Sequence, residues 1–193
     1  MQKELEKAFE LISDTYRNGG KLLVCGNGGS AADSEHIVGE LMKGFMLRRE
    51  IPAEMREKLR AASEANGDYI GDNLQGALPA ISLVSQTSIM TAFANDVAAD
   101  MVFAQQVYGY GRPGDSFLGL STSGNSKNVI LAAEVAKALG MHTIAFTGQS
   151  GGRLKEICDC TLCAPSDITP TIQEHHLPMY HALCMMLEKE FFS

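Results

Sequence analysis

Ser121-Thr122-Ser123-Gly124-Asn125-Ser126 separates the apolar run Phe117-Leu118-Gly119-Leu120 from apolar residues at helical spacing, Val129, Ile130, Ala133, Val135, Ala136 and Leu139. A short apolar strand, a polar Gly-containing loop and an amphipathic helix make up one step of a parallel α/β sheet. Four hydroxyls, on Ser121, Thr122, Ser123 and Ser126, crowd this junction. The helix that follows turns its free N–H groups and positive dipole end toward them. An anionic phosphate is the natural occupant of such a site. The loop holds no lysine, so it lacks the P-loop pattern of a nucleoside triphosphate site.

The same step recurs along the chain. Residues 2–18 read as a helix, with Leu5, Phe9, Ile12 and Tyr16 on one face, ended by Gly19-Gly20 before a strand at 21–25. A Gly-rich turn precedes a helix from about Ser30 to Phe45. Further strands are predicted at 79–84, 115–120, 141–146 and 159–164, and further helices near 87–94, 100–110, 127–139, 152–157 and 171–190. This alternation predicts an α/β fold of one domain over 1–193, doubly wound, with helices on both faces of a parallel sheet. Ligands in such sheets bind beyond the carboxyl ends of the strands, where the loops 26–30 and 121–126 lie. The exception is 47–76, a charged excursion with Pro52, a helical stretch from Glu54 to Glu64 and a Gly/Asn-rich tail, but no strand. It reads as a helical insertion, either solvated or serving as a lid or subunit contact.

Composition narrows the function. The chain has 193 residues, 45% of them hydrophobic and 20% charged, and a net charge of −7 without a basic cluster. That balance suits a globular protein and argues against a nucleic-acid partner. No 18-residue apolar run suggests a membrane span, and the charged start Met1-Gln-Lys-Glu-Leu-Glu-Lys7 lacks a signal-peptide core, so the expected compartment is the cytoplasm. Cys25 and Cys184 lie in apolar stretches as buried thiols. Cys158, Cys160 and Cys163 lack the spacing of a zinc site, and Cys160-Thr-Leu-Cys163-Ala reads instead as a strand.

Three further groups could carry chemistry. Gly26-Asn27-Gly28-Gly29-Ser30-Ala31 has the outline of a dinucleotide fingerprint, but the acidic residue that should follow at the end of a second strand is missing. No nucleotide cofactor is therefore expected, and the turn reads as a close backbone approach to another ligand. His36 and Glu40 lie about 40° apart around one helix and project from one face, toward a shared substrate or metal or simply toward solvent. Gln173, Glu174, His175 and His176 open the last helix, and His181 follows about 80° around the axis from Gln173. Pro178 is expected to kink or loosen that helix between them. Asn95-Asp96, after the apolar Ile89–Ala94, reads as a helix end or turn.

Taken together, Cys25-Gly-Asn-Gly-Gly-Ser30, His36-x-x-x-Glu40, Phe93-Ala-Asn-Asp96, Leu120-Ser-Thr-Ser-Gly-Asn-Ser126, Thr147-Gly-x-x-Gly-Gly152 and Ile172-Gln-Glu-x-His176 with His181 resemble the sugar isomerase (SIS) domain family, and within it the phosphoheptose isomerases. The resemblance implies a three-layer α/β/α fold around a five-stranded parallel sheet. It implies self-association into a homotetramer, or a dimer, with sites at subunit interfaces. It also implies isomerisation of sedoheptulose 7-phosphate to glycero-manno-heptose 7-phosphate. Carried over by position, Ser121, Thr122, Ser123 and Ser126 hold the phosphate. Asn27, Gly28, Gly29, Ser30, Asn95, Asp96 and Gln173 hold the sugar. Glu40 is the candidate base and His181 the candidate acid, and zinc is the candidate metal, on His36, Glu40, Gln173 and His181. SIS domains also serve as phosphosugar sensors and as partners of a replication initiator, and that last relative lacks the acid–base pair matched here by Glu40 and His181. An isomerase or epimerase of a smaller amino-sugar phosphate is a third reading.

Overall fold

The computed structural model describes residues 2–193, so Met1 lies outside the described residues. Five parallel strands, β1 (Leu22–Cys25), β2 (Ala80–Ser82), β3 (Ser116–Ser121), β4 (His142–Thr147) and β5 (Cys160–Cys163), stand in the spatial order β2-β1-β3-β4-β5. Each lies within two residues of the run predicted for it. Leu22 of β1 pairs with Ala80 on one side and Ser116 on the other, which sets the register of the sheet centre.

Strand side chains alternate between two cores. Leu22, Val24, Leu118, Leu120, Ile144 and Phe146 face one, and Leu23, Cys25, Phe117 and Ala145 the other. Burial on both faces is why these strands read as continuous apolar runs rather than alternating ones. The first face is covered by α1 (Gln2–Arg17), α2 (Gly29–Met42) and α9 (Thr169–Phe192). The second is covered by α5 (Thr87–Phe93), α6 (Val102–Tyr110), α7 (Lys127–Ala138) and α8 (Gly152–Ile157). A π-helical turn at Ala94–Ala98 and a 3₁₀ turn at Ala99–Met101 join α5 to α6.

The chain leaves β1 toward β2 on one side and β3 on the other. Loops leaving β1 and β3 therefore diverge and open a crevice at their carboxyl ends, the switch point of a doubly wound sheet. The 47–76 excursion holds α3 (Ala53–Ala62) and α4 (Gly67–Asn73), tied to each other by Arg56–Asp72 at 2.6 Å and Arg60–Asp68 at 2.5 Å. An antiparallel bridge between Glu50 and Gln75 closes its base, and no side chain of α3 is buried. Pro178 does not interrupt the helix: α9 is helical from Thr169 through Phe192. Its buried stripe of Ile172, His176, Met179, Tyr180, Leu183, Cys184 and Leu187 holds it on the core on both sides of the proline, which outweighs one lost backbone bond.

Candidate active site

A cleft of about 300 Å³ occupies the crevice between the β1 and β3 loops. Ser30 and the Asn27–Gly29 backbone form one wall, Ser121, Thr122 and Ser126 a second, and Thr169 with Gln173 a third. The first turns of α2 and α9 contribute to the lining, and α7 begins at the residue after Ser126. Neither α2 nor α7 has an acidic side chain in its first turn to compete for the exposed N–H groups. No lysine or arginine lines the cleft, so hydroxyls, amides and helix ends supply its attraction for an anion.

The hydroxyl loop is held in shape from behind. Ser121 Oγ and Ser126 Oγ lie 2.8 Å apart, and Ser126 N–H donates to Ser121 Oγ. Gly148 N–H donates to Thr122 O at 2.8 Å, Leu154 N–H to Gly124 O at 3.0 Å and Arg153 N–H to Asn125 Oδ1 at 2.9 Å. The Thr147–Gly152 motif is thus the brace of the loop. Gly124 has φ +67°, and a Cβ there would lie 2.0 Å from Gly151 O, so only glycine fits. At Gly29 a Cβ would lie 2.4 Å from Gln173 Nε2, so its absence leaves room for the Gln173 amide at the start of α2. Asn27 and Asn128 exchange two amide hydrogen bonds at 2.9 Å and link the two loops.

A second cluster lies between α2 and α9. His36 Nε2 is 3.3 Å from Glu40 Oε1 and 3.5 Å from His181 Nε2. Lys43 Nζ donates to Glu40 Oε2 at 2.6 Å. Tyr180 OH is 3.0 Å from His36 Nδ1 and 3.3 Å from Asp33 Oδ1. Burial pushes the Asp33 carboxyl above its ordinary value, against the lowering effect of the Tyr180 hydrogen bond. His36 lies seven residues along α2 from Gly29, about 10 Å, and His181 eight residues along α9 from Gln173, about 12 Å.

Sequence reasoning missed the clamp that sets α2 against α9. Arg49 Nε is 2.8 Å from Glu188 Oε1, and Arg49 also donates to Leu41 O at 2.7 Å and Glu40 O at 3.0 Å. Glu188 accepts the backbone N–H groups of Phe45, Met46 and Leu47. Arg49 thereby satisfies carbonyls at the end of α2, one of them on Glu40 itself. The only sequence signal was a glutamate on the helical stripe of α9 that buries the apolar residues.

The remaining candidates separate. Ser123 lies off the cleft lining and its Oγ accepts the Asn125 N–H, bracing the turn. Asn95 and Asp96 lie on the exposed π-helical turn, joined to each other at 2.9 Å, outside the residues that line the cleft. His175 faces a groove beside Leu5 and Leu162. His176 is fully buried, with Nε2 3.1 Å from Thr147 O. All five cysteines are free thiols, and desolvation pushes Cys158 and Cys184 up to about 12, so they stay protonated.

The donor chemistry at His36, Glu40 and His181 suits zinc. Their 3.3 and 3.5 Å separations are close to the edge of about 3.3 Å of a tetrahedron with metal–ligand bonds of about 2.0–2.1 Å. Among the described residues no three His, Cys, Asp or Glu side chains close on one point, and Gln173 lies apart from this trio, on the cleft wall.

Residues 1–69 and 61–148 match the model of the SIS domain family. A phosphoheptose isomerase of Akkermansia muciniphila is 38% identical over 193 residues, covering 100% of this chain and 88% of that protein. The structure of a phosphoheptose isomerase from Francisella tularensis superimposes with a TM-score of 0.80 at 32% identity, over 97% of this chain and 86% of that one. The phosphoheptose isomerase structure from Neisseria gonorrhoeae gives 0.75 at 36% identity, over 96% and 86%.

Proposed function

This chain belongs to the phosphoheptose isomerases of the SIS domain family, and we propose that it isomerises sedoheptulose 7-phosphate to D-glycero-D-manno-heptose 7-phosphate through an enediol. The observation that carries this reading is the spacing of two sites on the same pair of helices. An anion-accepting cleft lies at the starts of α2 and α9, and an acid–base cluster lies about 10–12 Å along them. An extended seven-carbon chain spans about 10 Å from its reacting carbon to its phosphorus at about 1.5 Å per bond, so one substrate reaches both.

With the phosphate on Ser121, Thr122 and Ser126, the C1–C2 end lies at Glu40 and His181. The Glu40 carboxylate takes a proton from C1 while His181 protonates the C2 carbonyl oxygen, which gives the enediol. Glu40 then returns the proton to C2, the O1 hydroxyl loses its proton to His181, and the aldose forms with both residues restored. Lys43 holds the second Glu40 oxygen and keeps the first aimed at the cluster. Zinc, if bound, would be held by His36, Glu40 and His181, with Gln173 as the fourth ligand the resemblance implies, and would supply polarisation of the carbonyl. Asn27, Gly28, Gly29 and Ser30 face the sugar, and Ser123 acts through the loop rather than on the phosphate. Asn95 and Asp96, which lie outside the cleft lining, are assigned to the sugar by the family resemblance.

A homotetramer in the cytoplasm is the assembly and setting this reading expects, with residues 1–193 one domain and the 47–76 excursion near a subunit contact. It is supported by exposed Met42, Met46 and Leu47 beside the cluster, while no helix among the described residues is long and apolar enough to cross a membrane. Turnover across a panel of five-, six- and seven-carbon phosphosugars, with and without chelator, tests the function. Preferred turnover of the heptulose phosphate is expected. Tight phosphosugar binding without turnover on any member would replace this reading with a sensor.

A further inference from the structure

We propose that Asp33 and Tyr180 act as a positioning pair that fixes the tautomer of His36, leaving the Nε2 lone pair directed at Glu40 and His181; this rests on the reading of those three residues as the reacting cluster.

The Tyr180 hydroxyl has one hydrogen and two neighbours, Asp33 Oδ1 at 3.3 Å and His36 Nδ1 at 3.0 Å. As a carboxylate Asp33 can only accept there, whereas a neutral imidazole nitrogen either donates or accepts. Two arrangements follow. In one, Tyr180 donates to Asp33 and accepts from His36 Nδ1–H, so Asp33 Oδ1, the hydroxyl and Nδ1 are all partnered. In the other, Tyr180 donates to His36 Nδ1 and Asp33 Oδ1 loses its donor.

The second gains an Nε2–H bond to Glu40 Oε1, but that carboxylate already holds Lys43, whereas Asp33 Oδ2 is buried without a hydrogen-bond partner among the described residues, so the second is the costlier. Removing the remaining bond would leave the whole carboxyl unsatisfied in a desolvated place. The first arrangement therefore prevails and puts the proton on Nδ1. His36 Nε2 then carries a lone pair toward Glu40 Oε1 at 3.3 Å and His181 Nε2 at 3.5 Å. A bare nitrogen aimed at a carboxylate needs a cation between them, which is the state a metal ligand or proton shuttle requires. Ring packing supports the same alignment: Tyr180 meets His36 edge to face at 5.3 Å and His181 at 5.1 Å.

Two substitutions in the full chain separate orientation from folding. Tyr180→Phe keeps the ring packing and removes the hydroxyl. Asp33→Leu keeps a helix-compatible side chain of similar size and frees the tyrosine hydrogen for His36. Long-range proton–nitrogen NMR on the metal-free protein reads the tautomer directly, and competition with a chromophoric chelator reads Zn²⁺ affinity. The wild type is expected to hold its His36 proton on Nδ1, Tyr180→Phe to populate both tautomers and Asp33→Leu to move the proton to Nε2. Zn²⁺ affinity and kcat should each fall about 10–100-fold in both variants, with melting temperature and KM nearly unchanged, because the phosphate end is untouched. A wild-type proton on Nε2, or variants with unaltered tautomer, Zn²⁺ affinity and kcat, would overturn the inference. A wild type that shows the Nδ1 proton yet turns over no phosphosugar upholds the positioning pair and rejects the isomerase reading instead.

Discussion

Arg49 Nε and Glu188 Oε1 lie 2.8 Å apart with both residues 1% exposed, and between them they hold the end of α2 against α9. Glu40 is carried by one of these helices and His181 by the other. Arg49→Met leaves a buried carboxylate facing backbone N–H groups without its cation, and strips two donors from the α2 carbonyls. A loss of about 3–5 kcal/mol is expected in urea unfolding, with kcat reduced in the folded fraction. A change below about 1 kcal/mol would show that the pair does not hold these helices together.

Acid should weaken the fold in two steps. Burial holds the His176 imidazole below its ordinary 6.5, with the Thr147 carbonyl opposing that shift. The unfolded chain therefore takes up this proton first, and stability declines as the pH falls below about 6.5. Desolvation acts to raise the Glu188 carboxyl, but the N–H groups of Phe45 and Met46 and the Arg49 side chain outweigh it, so its net shift is downward from 4.5. Its contribution is complete above 4.5 and is lost as the pH falls through the lower folded value. Melting temperature against pH should show both steps, with His176→Gln removing the upper and Glu188→Gln the lower.

Gly124→Ala places a methyl 2.0 Å from Gly151 O at φ +67°. The left-handed backbone alone costs about 1–2 kcal/mol, and relief of the clash must move the loop off its brace. Inorganic phosphate should cease to protect this variant against thermal unfolding. Ser126→Ala removes one hydroxyl and its contact with Ser121 Oγ but keeps the backbone brace from Gly148, Arg153 and Leu154, so about 1 kcal/mol, roughly fivefold in phosphate affinity, is expected.

Excision of 53–73 between the bridged Glu50 and Gln75 should leave the melting temperature close to wild type, since α3 buries no side chain. Turnover should fall if the hairpin serves the site as lid or subunit contact. Full turnover would assign it to solvent alone.

The five strands were legible because each is an apolar run closed by glycine or polar residues, and burial on both faces keeps that pattern unbroken. The cleft was legible for a related reason, since loops after β1 and β3 place their motifs at adjacent strand ends. Helix α4 was missed because Gly67 and Gly71 sit within only seven residues, which hides a helix held by Arg56 and Arg60 of its neighbour. Pro178 alone does not show whether α9 continues, because tertiary burial on both sides of it decides that continuity. The last-helix cluster also overstated the site. Steps of about 100° per residue send Gln173 to the cleft, His175 to a groove and His176 to the Thr147 carbonyl. Arg49–Glu188 and Asp33–Tyr180 join residues more than 130 positions apart, and no local pattern records such a pairing.

The central claim is that Glu40 and His181 carry the isomerisation of a phosphosugar anchored by the Ser121–Ser126 loop. It is tested most directly by the rate of conversion of sedoheptulose 7-phosphate to the heptose 7-phosphate in wild type, Glu40→Gln and His181→Ala, each checked for intact assembly and retained phosphate binding. The account predicts turnover in the wild type and its loss in both variants, with binding preserved. Near-normal rates in either variant, or a wild type that binds the heptulose phosphate and does not convert it, would contradict it.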